Sequence, residues 1–312
     1  MIRSLMKKPT FILGSLYIGF MLLTSFIHQF VFHSYTEQTK YLKDSEGLLI
    51  AAPPFAPFEN TLLGTDPEGN HLIYLVMMGA KYTILGAIAI AAISLVCAFL
   101  IGVVLGFNQD KKWQLIEQLF GVFYFIPASI IAYNLLKPIL WEPEGGFTTS
   151  LMYRITFEVI LISILLMPPA IIFISNETNA ILKKDFIVSS KVLGASKLHL
   201  FTKHVWPELR FYLVQLSNQL MIQAILIMTH LGVFQLFFGG THVTYSLFTD
   251  PPVPIVYDWA SIIGNYFRYL QTNAPWLVYV PLILLILFIL SVLGITRGIK
   301  QVMKFNYDKN IL

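Results

Sequence analysis

The stretch Tyr82–Asn108, YTILGAIAIAAISLVCAFLIGVVLGFN, contains no Asp, Glu, Lys or Arg. A helix that crosses a bilayer core needs about 20 consecutive, predominantly apolar residues. This run exceeds that length and reads as a membrane span. Five further charge-free runs pass the same test: Thr10–Tyr35, Gln118–Leu136, Val159–Asn176, Phe211–Thr249 and Tyr269–Thr296. The Phe211–Thr249 run is too long for one span. It turns polar at Gly239-Gly240-Thr241-His242, which places the end of its helix near Phe238. The reading is an all-α integral membrane protein with six transmembrane helices.

Composition supports this. Of 312 residues, 56% are apolar and only 12% charged, about half the charged share that a soluble chain needs to wet its surface. The net charge of +4 is too small to argue for nucleic acid as a partner; membrane lipid is the expected surroundings. The one cysteine, Cys97, excludes an internal disulfide and a Cys-based metal site. Basic residues near span ends set orientation. With six spans and the N-terminus inside, 15 of the 21 Lys and Arg fall on the inner side, so both termini are expected in the cytoplasm. Arg3, Lys7 and Lys8 ahead of an apolar run could signal secretion, but no small-residue cleavage site follows near Phe26–Phe30. Residues 1–35 are therefore expected to be a retained anchor helix.

The loops are unequal. Residues 36–78 are expected outside, with a proline cluster at Ala51–Pro57 that disfavours helix and a turn-rich stretch at Leu63–Asn70. The short amphipathic piece His71–Ala80 is expected to lie on the membrane surface before the second helix. The 109–112 loop is tiny, whereas 177–210 is long, charged and expected inside. It reads as helix–turn–helix: Asp185 suits a positive helix N-terminus, Gly194 a left-handed stop, and Pro207 the start of the next helix. The helix between is too short to be stable alone, so a partner should cover it.

Asp185-Phe186-Ile187-Val188-Ser189-Ser190-Lys191-Val192-Leu193-Gly194-Ala195-Ser196, followed by Lys203-His204-Val205-Trp206-Pro207, resembles the EAA loop of binding-protein-dependent ABC importer permeases. It is similar to the oligopeptide/dipeptide/nickel branch. Leu63-Gly64-Thr65-Asp66 with Gly69, Gly79-Ala80-Lys81, Pro252-Val253-Pro254 with Trp259, and Ala274-Pro275-Trp276 resemble that branch's C-type subunit. Val188-Ser189-Ser190 stands where the family has Glu-Ala-Ala; the serines stay small, but a glutamate contact is lost. Asn70-His71 replaces the usual Arg-Asp, and Lys203 an Arg.

The resemblance implies a type I permease domain over 79–298 and a cytoplasmic tail over 299–312, in a bacterial plasma membrane. It implies a second homologous permease subunit, two ABC ATPase subunits that bind ATP and Mg, and an extracytoplasmic solute-binding protein. Residues Phe186–Ser196 would couple to the ATPases, and the cargo would be small peptides or, alternatively, nickel or a metal chelate.

Other residues have plainer readings. His204 is expected to cap or pack beside Pro207, and His71 and His242 to lie on the surface; no metal site is expected. Arg154 and Glu158 are expected to form an i,i+4 ion pair near an interface. Asn134 and the prolines Pro127, Pro168 and Pro169 interrupt apolar helix, as pathway or gate residues often do. Gly194-Ala195-Ser196-Lys197 is too short for a nucleotide-binding loop, so no cofactor and no catalytic residue is expected in the chain. The charge-free runs also lack the mid-membrane ionisable groups of a secondary transporter.

Overall fold

The computed structural model describes residues 2–33, 35–46, 48–59, 61–108, 121, 126–246 and 250–309. In chain order its helices are α1 (Ile2–Leu5), α2 (Pro9–Phe30), α3 (Leu72–Phe107), α4 (Ala128–Leu140), α5 (Leu151–Leu182), α6 (Asp185–Val192), α7 (Lys197–Leu200), α8 (Trp206–Val233), α9 (Trp259–Asn265) and α10 (Trp276–Lys309). A π-turn, Phe201–Val205, joins α7 to α8. Two small antiparallel hairpins complete it: β1 (Leu42–Lys43) with β2 (Leu49–Ala51), and β3 (Thr241–His242) with β4 (Val253–Pro254).

Five of these helical segments, α2, α3, α5, the run from α7 through α8, and α10, are long and apolar enough to cross a membrane. The sixth expected span is represented by α4, which has 13 residues. That is about 20 Å of helix, less than a hydrocarbon core of about 30 Å. The rest of that expected span, residues 118–120 and 122–125, and the 109–112 loop lie outside the described residues.

Three element boundaries differ from expectation. His71–Ala80 is not a separate surface piece. It is the first part of α3, which runs unbroken for 36 residues, so the boundary expected after 78 falls inside a helix. Lys81 is tolerated there because its stem is buried and its Nζ lies 5.0 Å from the Tyr82 ring. Likewise α5 begins at Leu151, eight residues before the charge-free run, and includes Arg154 and Glu158. At the other end of the chain the last span begins at Trp276 rather than Tyr269, after a 3₁₀ turn over Phe267–Gln271 and Pro275.

The core has two lobes that share α3 and α8. In one, the C-terminal half of α3 and α4 each pack on α5 and α8, with Ile90, Ala98, Ile162, Ile174 and Leu220 buried. In the other, the N-terminal half of α3 packs on α2, α9 and α10 around Leu72, Ile84, Trp259 and Phe288. The α3–α5 contact is the most extensive. Gly102 and Gly106 make it close: a Cβ on Gly106 would fall 2.5 Å from Thr178 Cβ, and one on Gly102 2.8 Å from Ile174 Cβ. This is the small-xxx-small approach by which helices pack in lipid. Further along the contact, Ser94 Oγ donates to the Ile90 and Ser163 carbonyls at 2.7 and 3.1 Å, and Ser163 Oγ to Val159 O at 2.6 Å.

Candidate functional site

Loop 183–210 closes one end of the bundle. Lys184 N-caps α6 and its Nζ pairs with Glu208 on α8. Ile187 is 1% exposed and anchors α6 to the bundle. It does not belong to the exposed apolar face of the loop. That face consists of Phe186, Val188, Val192, Leu193 and, on α7, Leu198; Val192 and Leu193 are 82% and 87% exposed. The hydroxyls of Ser189 and Ser190 donate back to Asp185 O and Phe186 O, both at 2.9 Å. At the motif position of Glu-Ala-Ala, the surface therefore offers small side chains whose hydrogen bonds are internal.

The stop of α6 is explicit. Gly194 has φ +91°, its N–H donates to Lys191 O, and the Ala195 N–H to Ser190 O, each at 3.1 Å. These two bonds are the Schellman pattern, which requires a left-handed residue where Gly194 stands. Ser196 then N-caps α7, its hydroxyl accepting from His199 N at 3.2 Å. His204 packs its ring on Phe186 at 5.7 Å and on His199 at 6.1 Å, an aromatic packing role beside Pro207. Pro207 lies at the start of α8, as expected, but the chain reaches it already helical. It passes through the π-turn, and Pro207 sits in the first turn of α8, where its missing N–H is tolerated.

At the opposite end a buried polar knot holds the turn after α8. Arg154 Nε donates to Gly239 O at 2.8 Å, and the Gly239 N–H donates to Glu158 Oε2 at 2.9 Å. Arg154 and Glu158 are 4% and 1% exposed, and its guanidinium carbon lies 3.8 Å from the Phe147 ring centre. They are thus not an ion pair with each other. Each satisfies one backbone group of the same glycine, whose φ is +74°. Phe238 N–H adds a bond to Ser261 Oγ at 3.2 Å, and Asp258 caps α9 through the amides of Ala260 and Ser261. Burial pushes the Asp258 carboxyl up to about 6.

The segment before α3 is tied to the same end. Thr65 Oγ1 accepts from Phe55 N at 2.9 Å, and Asp66 accepts from Asn70 N and Nδ2, both at 2.7 Å, and from Tyr266 OH at 3.0 Å. Burial raises the Asp66 carboxyl above the usual range. The surface histidines are engaged here too: His71 with Thr39 Oγ1 at 3.0 Å, and His242 with Glu142.

Of the four expected pathway residues, two meet. Pro127, which caps α4, and Pro169, inside α5, line one cleft of about 310 Å³ with Ser129, Leu165, Gln223 and His230. Pro168 is buried next to it. Two successive prolines leave the Ile164 and Leu165 carbonyls without their α-helical donors, yet α5 continues to Leu182. Asn134 lies elsewhere, exposed on α4, with its Nδ2 donating to Ile130 O of its own helix at 2.8 Å. The sequence reading missed Gln223 and His230 because it tracked charges and prolines; their spacing of two helical turns was visible.

Residues 98–304 match the family described as binding-protein-dependent transport system inner membrane component. The chain is 25% identical over 240 residues to the di/tripeptide transport system permease protein DppC of Pseudomonas aeruginosa, covering 77% of this chain and 70% of that one. It is 24% identical to the peptide transport system permease protein SapC of Haemophilus influenzae, over 76% and 73% of the two chains. With the oligopeptide transport system permease protein OppC of Bacillus subtilis the figure is 22%, over 78% and 70%. The family match runs from the C-terminal part of α3 into α10 and takes in the α6 loop and the cleft, and the chain belongs to the binding-protein-dependent transport inner membrane components, multi-pass proteins of the bacterial inner membrane.

Proposed function

We propose that this chain is the C-type permease subunit of an ATP-driven peptide importer. Peptide cargo is supported by the names of its relatives, which are peptide, dipeptide and oligopeptide permeases. It pairs with a second homologous permease, two ATPase subunits that bind ATP and Mg, and an external solute-binding protein. Its fold has six spans with both termini cytoplasmic, which places α6 inside and the Asp66, Gly239 and α9 end outside.

The observation that carries the reading is the α6 tip. Exposed Val192 and Leu193 lie on a charged loop outside the candidate spans. Apolar groups clustered this way mark a protein interface. ATP-driven closure of the ATPases would push on α6. Ile187, buried in the lobe built by α5 and α8, would pass that push to the spans. Coupling needs the ATPases to bind the inward-open and outward-open states with different affinity. The prolines of α5 and Pro127, beside the cleft, are where the helices give.

The test is Val192→Asp in cells expressing all subunits. Placing a charge at the centre of an apolar contact should release the ATPases in a pull-down while the second permease stays bound. ATPase retained at the wild-type level removes α6 as the docking element.

A further inference from the structure

Along α8 the exposed positions between Tyr212 and Phe234 are Gln215, Gln219, Leu226, His230 and Val233, and Gln223 is half-buried in the same line. Steps of four, four, three, four and three residues keep all of them on one face of a helix. Three glutamines and a histidine thus form a stripe on a span. The other long helices expose mainly hydrocarbon, as at Val96, Leu100, Ile160, Ile164, Ile283 and Ile286. Gln215 is engaged by Lys300 Nζ at 2.7 Å near the α6 end. The side chains of Gln219, Gln223 and His230 have no hydrogen-bond partner among the described residues.

Lipid cannot satisfy amide and imidazole groups, and leaving them unsatisfied in hydrocarbon is costly. This face therefore meets water, protein or cargo. The cleft bounded by Pro127, Ser129 and Pro169 opens onto the stripe at Gln223 and His230. Within the importer reading, on which this inference rests, we propose that Gln219, Gln223 and His230 form a polar wall of the transport path and hydrogen-bond the backbone amides of the passing peptide.

Chemistry and spacing both favour the backbone over side chains. Amides and imidazole offer donors and acceptors without a carboxylate or ammonium that would select or trap charged side chains. Gln219 and Gln223 are about 6 Å apart along the axis. On one edge of an extended peptide, equivalent amides recur every two residues, about 6.6 Å. The whole stripe from Gln219 to His230 is about 16 Å long, or about five extended residues. Several weak sites in line let cargo move on rather than stay bound.

The test uses the full complex with Cys97→Ala and one of Gln219→Cys, Gln223→Cys or His230→Cys, with Ile283→Cys as the lipid-facing comparison. During ATP-driven turnover, a water-soluble cationic methanethiosulfonate should modify the three stripe cysteines and not Ile283→Cys. A tripeptide should slow that modification. In parallel, the unmodified wild-type complex should take up a tripeptide about tenfold faster than its N-methylated analogue, a preference equivalent to about 1.4 kcal/mol. The Gln219→Leu/Gln223→Leu variant should lose that preference. Stripe cysteines no more reactive than Ile283→Cys put this face in lipid and overturn the proposal. Loss of the second permease from the leucine variant assigns the stripe to a subunit contact and overturns it too. Equal wild-type uptake of both peptides removes backbone recognition. Wild-type uptake that ignores ATP refutes the importer reading instead.

Discussion

At the scale of single residues, backbone geometry explains more than side-chain identity. Gly194 has open space around it: a Cβ there would meet nothing within 4 Å. Its requirement is conformational, because φ is +91° and its N–H closes α6 on Lys191 O. An L-residue in a left-handed conformation costs about 1–2 kcal/mol. Gly194→Pro cannot adopt that φ and also loses the donor. We expect Gly194→Pro to reach the membrane at wild-type amount, since the loop lies outside the spans. ATP-dependent peptide uptake should fall about tenfold or more, as a misaimed Val192–Leu193 tip no longer fits its partner. Uptake within about twofold of wild type by an inserted variant would show that the aim of α6 does not matter. Gly239 illustrates the same point at the other end. Arg154 and Glu158, charges that look like a surface ion pair in the sequence, are used up by its two backbone groups.

At the scale of elements, the decisive contact is α3 against α5. Gly102 and Gly106 admit the backbone of α5 where any larger residue would push it away. Gly106→Leu should therefore lower the melting temperature of the purified complex, a cost of about 1–3 kcal/mol for an overpacked contact. Gly19→Leu on α2, where a Cβ would meet nothing within 4 Å, should leave it unchanged. Equal melting of both variants and wild type would mean that the α3–α5 contact carries no stability. Counting charges in the sequence located five long helices, because lipid forbids unpaired charge. The same count misplaced the starts of α3 and α5. Lys81 snorkels along apolar packing, and Arg154 and Glu158 bind backbone from 85 and 81 residues away, which no local pattern encodes. The α6 stop was legible because a left-handed turn has a residue signature. The glutamine stripe carried a legible period, but one written in amides rather than charges. Asn134 lies away from the cleft and its side chain bonds its own helix, a local satisfaction that sequence position does not reveal.

At the scale of the whole molecule, the two ends differ in charge and in the work proposed for them. The end with α6 gathers Lys7, Lys8, Lys183, Lys191, Lys203 and Arg297, while the other carries acids such as Asp44, Glu46, Asp66 and Glu142. Basic residues near span ends are retained on the cytoplasmic side during insertion. That asymmetry supports the orientation proposed above, with α6 on the side of the proposed ATPases and the Asp66 segment on the side of the proposed binding protein. The proposed orientation, with both termini on one side, requires an even number of crossings between Pro9 and Lys309, and therefore counts α4 as part of a sixth span. Cysteine labelling tests the requirement directly. In a Cys97→Ala background, Ser45→Cys and Gly145→Cys should react with an impermeant maleimide added to intact cells. Both positions are exposed at the end opposite α6. Lys183→Cys, exposed beside α6, should react only after the membrane is permeabilised. Labelling of Lys183→Cys in intact cells inverts the molecule and places α6 where no ATPase can reach it. Protection of Gly145→Cys, with Ser45→Cys labelled, means that the chain crosses once rather than twice between them. An odd number of crossings would leave α4 outside the set of spans.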